Sequence, residues 1–435
     1  MAAVEPQAGF AQRDAGLVRV VGVRALAANV VNTVVGAGIF AVPAALAQNA
    51  GAYAPAAFLI CALAMGAIAI CFAEGGSRVP TSGGAYGSID AAFGPLAAYV
   101  SGTLLWLGNL LACASIAAAL GDVAGSLAPA GIVALVKAVV IVAVVTAMAL
   151  VNIASVTRSA LLVTVATACK LAPLILFVLV GLFVMHPANL VPSGRPALGG
   201  LGRALILALF ALTGIEGSLS VSGEVVDPAR TIPRALAIAM TFVTMLYVAI
   251  QLVAQGVAGP SLGQSAAPLA DVMGRVHPAL RVVMLGGAAL SMAGWLASDI
   301  LSTPRVLFAF SRDHLLPRVF GRVHPNNHTP YVAISVYAGL AVLLALTGTF
   351  AELAVLATLA SAGLYIGVCL AAWQLARRGI ALAGPPLNFR RLAAAVVVGV
   401  GSMVALIALA SPIEIAGFFA VVIVSAAIHL VQANV

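Results

Sequence analysis

The sequence predicts an all-α integral membrane protein of twelve transmembrane helices, and three observations carry that prediction. Of 435 residues, 63% are hydrophobic and only 8% are charged, with a mean hydropathy of +1.15. So little charge cannot clothe a water-soluble surface around that much apolar material. The apolar residues fall into runs of about 20, the length that crosses a hydrocarbon core of ~30 Å. Two runs are interrupted by glycines in matching places: Val34-Val35-Gly36-Ala37-Gly38-Ile39-Phe40 and Phe210-Ala211-Leu212-Thr213-Gly214-Ile215-Glu216-Gly217.

In chain order the spans fall near 20–46, 51–75, 96–120, 131–152, 158–185, 201–224, 233–258, 279–311, 331–347, 352–375, 391–410 and 413–433. Residues 1–19 form a short head bearing Glu5, Arg13, Asp14 and Arg19. The run behind it is too long for the apolar stretch of a signal peptide, so it reads as a retained span. Arginine placement sets the orientation. With the N-terminus inside, fifteen arginines fall on the cytoplasmic side, and Arg195, Arg203, Arg275 and Arg281 on the outer side. Both termini are therefore expected in the cytoplasm of a cell with the chain in its cell (inner) membrane. The formal net charge of +8 then reflects topology and calls for no nucleic-acid partner.

Other chemistries find little support. Cys61, Cys71, Cys113, Cys169 and Cys369 lie within spans, without ligand-like spacing or an evident disulfide pair, and read as small packing residues. The six histidines sit mainly in loops or at span ends, so no metal site is expected. No catalytic constellation or cofactor motif stands out. No Gly-Lys-Ser/Thr phosphate loop is present, which excludes an ATP motor within this chain. Energy must come from a gradient or an exchange.

The breaks carry the functional reading. Glycine weakens a helix, and an unwound stretch in lipid is tolerated where it lines a cavity. A pair in corresponding places of two halves marks a transporter's binding site. The second half of span 1 begins just after Gly36, so the N–H groups of Ala37, Gly38 and Ile39 and a positive dipole end point at the break and suit a carboxylate. Carbonyls around Val34, and those from Phe210 through Ala211 to Thr213, can accept from an ammonium. Together they form a receptor for the zwitterion of an α-amino acid.

At this point the chain resembles the amino acid–polyamine–organocation permeases, which share the leucine-transporter fold. The matching stretches are Gly36-Ala37-Gly38-Ile39-Phe40, Pro80-Thr81-Ser82-Gly83-Gly84-Ala85-Tyr86 after span 2, and Phe93-Gly94-Pro95 before span 3. They continue with Gly214-Ile215-Glu216 through Gly223-Glu224-Val225 to Asp227-Pro228-Ala229-Arg230-Thr231-Ile232-Pro233-Arg234. The last is Pro304-Arg305-Val306-Leu307-Phe308-Ala309-Phe310-Ser311-Arg312-Asp313, ending at Leu316-Pro317. The resemblance implies a 5+5 inverted-repeat core with discontinuous helices 1 and 6, residues 20–185 forming the first repeat and 201–375 the second. Spans 11 and 12 (391–433) are then two peripheral helices.

Charges within spans are costly, about 2.5–3.5 kcal/mol each at a helix centre on insertion scales. Lys170, mid-span 5, resembles a family lysine that takes the place of the sodium ion in sodium-coupled relatives and bridges span 1 to span 8. A lysine packed permanently against carbonyls is the alternative. Glu216 resembles a glutamate of the arginine/agmatine exchanger implicated in proton sensing; it can equally be an acceptor holding the start of the second half of span 6. Asp299, counted back from Pro317, falls where that exchanger has a substrate-facing tryptophan; it can read a cationic side chain or pair with Lys170. Leu105 matches a tyrosine there and Phe210 a tryptophan, departures that put arginine specificity in doubt. Glu74 reads as interfacial.

The sequence thus points to a secondary active transporter of α-amino acids with neutral, smallish side chains, driven by protons or by a counter-substrate, in contact with membrane lipid. The alternatives are a cationic amino acid or polyamine exchanger using Asp299 and Glu216 and, from another class, a membrane-embedded amino acid sensor.

Overall fold

The computed structural model describes residues 19–36, 38–80, 84–154, 156–192, 194, 197–312, 316–382 and 385–432, without the side chains of 156–169, 218, 220 and 221. The described residues are almost wholly helical, and hold one isolated bridge, Val21 with Val225. The first half of the chain forms α1 (Val23–Val34), α2 (Gly38–Ala50), α3 (Ala54–Arg78), α4 (Ala85–Phe93), α5 (Pro95–Gly125), α6 (Val133–Ala154) and α7 (Val156–Val184). The second forms α8 (Leu198–Leu212), α9 (Ile215–Ser218), α10 (Pro228–Ala258), α11 (Pro268–Gly274), α12 (Pro278–Ser302), α13 (Pro304–Arg312), α14 (Tyr331–Thr347) and α15 (Phe350–Arg377). Two more follow, α16 (Leu392–Ala408) and α17 (Pro412–Gln432).

Among the described residues, eight helical stretches are long and apolar enough to cross a membrane, with three shorter apolar ones at Lys170–Val184, Tyr331–Thr347 and Leu392–Ala408. One stretch, Gly38–Arg78, combines α2 and α3 through a short turn at Gly51–Tyr53 and so covers two expected spans. This is a multi-pass membrane protein. Span 6 is interrupted as expected: past Leu212 the path turns at Thr213 and Gly214 and runs through four residues of α9 and a 3-10 segment, Leu219–Glu224. Span 8 is also divided, because Pro304 lacks the N–H that would carry α12 into α13.

The core is a contiguous apolar cluster threaded through α1–α5, α8, α10, α12, α14 and α15. The helices α5 and α15 pack along each other, as do α3 with α10, α1 with α10, and α7 with α12. By contrast α17 buries little beyond Ser425 and presents apolar side chains outward, as a lipid-facing helix does. The segment before α1 is tied to the one before α10: Val20 and Val21 both donate backbone N–H to the Glu224 carbonyl at 2.9 Å, and Val226 donates to Val21 at 3.0 Å.

Glu74 corrects its sequence reading. It is fully buried, one turn from Arg78, whose Nε donates to its Oε1 at 2.8 Å. The same arginine donates to the Ile380 carbonyl at 3.2 Å and to Asn388 Oδ1 at 2.6 Å. Glu74 Oε2 accepts from the Phe389 N–H at 2.9 Å. The ion pair therefore clamps the loop between α15 and α16 onto the end of α3. Removing one member leaves a buried charge uncompensated, which typically costs about 3–5 kcal/mol. Arg78→Leu should lower the melting temperature of the detergent-solubilised protein markedly, and adding Glu74→Leu should restore part of the loss; equal melting of single and double variants would show the pair is not coupled.

Candidate functional site

The two broken helices meet. Past α1 the chain turns at Val35 and Gly36, and α2 restarts at Gly38; Ala37 lies outside the described residues. Past α8 the chain turns through Thr213 and Gly214, the latter at φ +118°, a conformation that glycine adopts without strain. A Cβ on Gly214 would sit 2.8 Å from the Thr33 carbonyl oxygen, so the second break rests directly against the end of the first helix. Gly36 is close-packed likewise: a Cβ there would meet the indole of Trp295, on α12, at 2.9 Å.

Two adjoining cavities flank this meeting point. The larger, about 110 Å³, is lined on one side by Asn32, Thr33 and Lys170 and on the other by Ser291, Trp295, Ser298, Asp299 and Ser302. The smaller, about 60 Å³, is bounded by Val34, Gly36, Gly38, Phe210, Ala211 and Thr213 together with Gly108, Ala112 and Ile116 of α5. Thr33, Asn109, Gly214, Glu216 and Trp295 border both. Among the described residues no cluster of His, Cys, Asp and Glu could hold a metal ion. A wider hollow of about 410 Å³ lies beyond α2, lined by Ala41, Gln48, Asp122, Lys137 and Phe350. Phe210 packs against the Gly38 position and meets Phe350 edge-on at 6.0 Å, between the smaller cavity and that hollow.

Residues 21–409 fit the family model described as amino acid permease. The chain belongs to the amino acid permease family. Among its relatives is an uncharacterised transporter of Mycobacterium tuberculosis, 34% identical over 325 residues, covering 72% of this chain and 71% of that one. The branched-chain amino acid permease of Bacillus subtilis is 27% identical over 375 residues, 80% of this chain and 79% of its own. The serine/threonine exchanger of the same bacterium is 28% identical over 351 residues, 77% and 78% respectively. These relatives are permeases and transporters, and the permease is not an enzyme.

Each residue singled out from the sequence has a definite place. Lys170 donates to the Asn32 carbonyl at 2.5 Å, so an ammonium on α7 holds the end of α1. The pairing with Asp299, one of two alternatives the sequence left open, is not formed: the two line one cavity without an ion pair. Asp299, 6% exposed, instead accepts from Tyr337 Oη at 2.5 Å and Thr303 Oγ1 at 2.7 Å. Both carboxylate oxygens are thereby engaged by hydroxyls of the protein. Glu216 Oε2 accepts from the Gly214 N–H at 3.2 Å and from Tyr365 Oη at 2.7 Å, which makes it an acceptor at the restart of the broken helix.

Three backbone expectations change. The Val34 carbonyl accepts from Tyr247 Oη at 2.9 Å and from the Gly36 N–H at 2.7 Å, so both its lone pairs are used within the permease. The Phe210 carbonyl is taken by Thr213 Oγ1 at 2.7 Å. The carbonyls of Ala211 and Leu212, also in the last turn of α8, have no partner within that helix among the described residues. Ile39 is fully buried and lines neither cavity.

Of the expected pocket side chains, Asp299 lines the larger cavity, whereas Leu105 is displaced by one turn. Leu105 borders neither cavity, whereas Asn109, four residues on, borders both. On α12 the tryptophan over the site is Trp295, four residues before Asp299. Sequence reasoning missed both, along with Tyr247 and Tyr365. A usable signal existed for Trp295: the chain has three tryptophans, and this one lies in a glycine-bearing stretch of span 8.

Gly214→Ala should leave insertion intact and weaken ligand binding by tenfold or more, since the added methyl must displace Thr33 backbone rather than a flexible side chain. Gly38→Val should do the same by filling the approach to the first-turn N–H groups of α2. Size-exclusion chromatography checks folding and ligand-induced thermal shift checks binding; wild-type affinity in either variant would separate the breaks from the binding site.

Proposed function

We propose that this permease is a secondary active transporter of α-amino acids, working by alternating access around the paired breaks. The observation that carries the reading is the contact of Gly214 with the Thr33 backbone, which brings a helix end and a helix start together beside small polar cavities. On this reading the chain has twelve spans in a 5+5 inverted-repeat core (20–185 and 201–375), with 391–433 peripheral and both termini cytoplasmic. The N-terminus of α2 takes the substrate carboxylate, and the Ala211 and Leu212 carbonyls face its ammonium. Phe210 closes the cavity toward the outer hollow.

The substrate class is neutral and small. Among its relatives are a branched-chain amino acid permease and a serine/threonine exchanger, and the cavities are small. The cationic alternative is the weaker one, because each oxygen of Asp299 already accepts a hydroxyl of the protein, from Tyr337 and Thr303. Proton coupling or exchange supplies the energy. One proton moving through 100 mV releases about 2.3 kcal/mol, enough for roughly fifty-fold accumulation of a neutral substrate.

Lys170 is assigned the coupling or gating role. Its ammonium sits where an inorganic cation would otherwise satisfy the carbonyls at the end of α1, and it borders the larger cavity. Proteoliposome uptake of neutral amino acids should rise with an inward proton gradient and be indifferent to sodium. Lys170→Ala should keep measurable binding and lose the gradient dependence. Uptake that requires sodium and ignores the proton gradient would refute the assignment; one-for-one exchange insensitive to both ions would reduce Lys170 to a structural contact.

A further inference from the structure

Asn109 stands on α5 and borders both cavities, and its amide is oriented by a chain of hydrogen bonds that runs from Asp299 through Thr303. Asp299 accepts the hydroxyls of Tyr337 and Thr303 at 2.5 and 2.7 Å. A carboxylate is an acceptor only, so the single proton of Thr303 Oγ1 is committed to it. Thr303 can then only accept from its next neighbour, and it does so from Asn109 Nδ2 at 3.1 Å. The reverse setting of the amide would place two acceptors face to face. The Asn109 Oδ1 is consequently turned away from Thr303, and no described residue donates to it.

The surroundings make this acceptor distinctive. In the smaller cavity the neighbours on α5 are Gly108, Ala112 and Ile116, and Ala357 lies opposite. Gly108 is packed tightly, a Cβ there falling 3.3 Å from Ala360. The volume of about 60 Å³ leaves room for a short side chain only. Ser361 borders the same space, but a hydroxyl can turn to donate or accept and so does not discriminate. Thr33, Thr213 and Glu216 also border it, on the side of the two breaks; on the α5 side the fixed element is the Asn109 acceptor beside Gly108, Ala112 and Ile116.

We propose that Asn109 reads the substrate's side chain and selects small amino acids bearing a hydroxyl over hydrocarbon isosteres of the same size. Thr303 and Asp299 act as positioning residues that hold the acceptor outward. An apolar isostere would bury the Asn109 carbonyl without a partner, whereas a hydroxyl satisfies it. This assignment rests on the carrier reading above and deepens it.

The test compares L-threonine with L-valine, which differ by hydroxyl for methyl, by competition binding to the purified full-length permease. Wild type should prefer threonine by about three- to tenfold, the worth of one neutral hydrogen bond. Asn109→Leu should bring the ratio to one or below. Thr303→Val should lower the ratio because the amide loses its fixed direction, and Thr303→Ser should restore it; a merely structural role would weaken both ligands alike and leave the ratio unmoved. Valine binding at least as tightly as threonine to wild type would overturn the proposal without any variant having to fold. A threonine preference that survives Asn109→Leu would also overturn it. Failure of the wild type to bind any α-amino acid would instead overturn the carrier reading, and this assignment with it.

Discussion

A helix interrupted inside lipid exposes backbone N–H and C=O groups where water cannot reach them, and the architecture of this permease follows from satisfying those groups at two places. At the end of α1 the Val34 carbonyl is met by Tyr247 of α10, and the Asn32 carbonyl by Lys170 of α7. At the restart of span 6 the Gly214 N–H is met by Glu216, which is held in turn by Tyr365 of α15. The tyrosine and lysine anchors come from continuous helices packed against the breaks. They let the backbone leave helical geometry without leaving buried polar groups unpaired.

Such bracing also selects which atoms remain for a ligand. A carbonyl with both lone pairs engaged, as at Val34, has no further capacity, while the last carbonyls of α8 and the first N–H groups of α2 have no partner within their helices. Binding capacity in this design is what the bracing leaves over. Asp299 shows the same bracing on the side-chain level: a carboxylate beside the cavity, with one hydroxyl of the protein on each oxygen, fixes the directions of Tyr337 and Thr303.

The legible part of the fold was its periodic part. Long apolar runs, the two glycine-bearing breaks and the lysine of span 5 could all be read from the chain, because lipid enforces length and forbids unpaired charge. The error at the site is one of depth. Leu105 stands for Asn109, four residues on, and Trp295, one turn before the cavity-lining Asp299, was passed over. A shift of four residues nearly preserves the helix face and moves the position by about 6 Å along the axis, so the face was correct and the depth was not. Counting from Pro317 crosses the interruption between α12 and α13, where helical rise no longer applies. Glu74 was misread for a different reason. Its partners include Phe389, more than 300 positions along the chain, and no local pattern announces a contact of that separation.

The two breaks differ in charge, and the proposed zwitterion site takes its direction from that difference. The restart after the second break carries its own carboxylate: Glu216 lies in the first turn of α9 and accepts from Gly214. A substrate carboxylate placed there would face a like charge. The restart after the first break has no acidic residue in its first turn, and α2 runs for 13 residues, long enough for an appreciable positive end. On the proposed reading, a bound amino acid would lie with its carboxylate at α2 and its ammonium toward Glu216 and the end of α8. That orientation would direct the side chain to the smaller cavity, which Asn109, Phe210 and Trp295 border. Glu216 would then serve two ends with one charge, accepting at the restart of the broken helix and setting the polarity of the ligand that fits beside it.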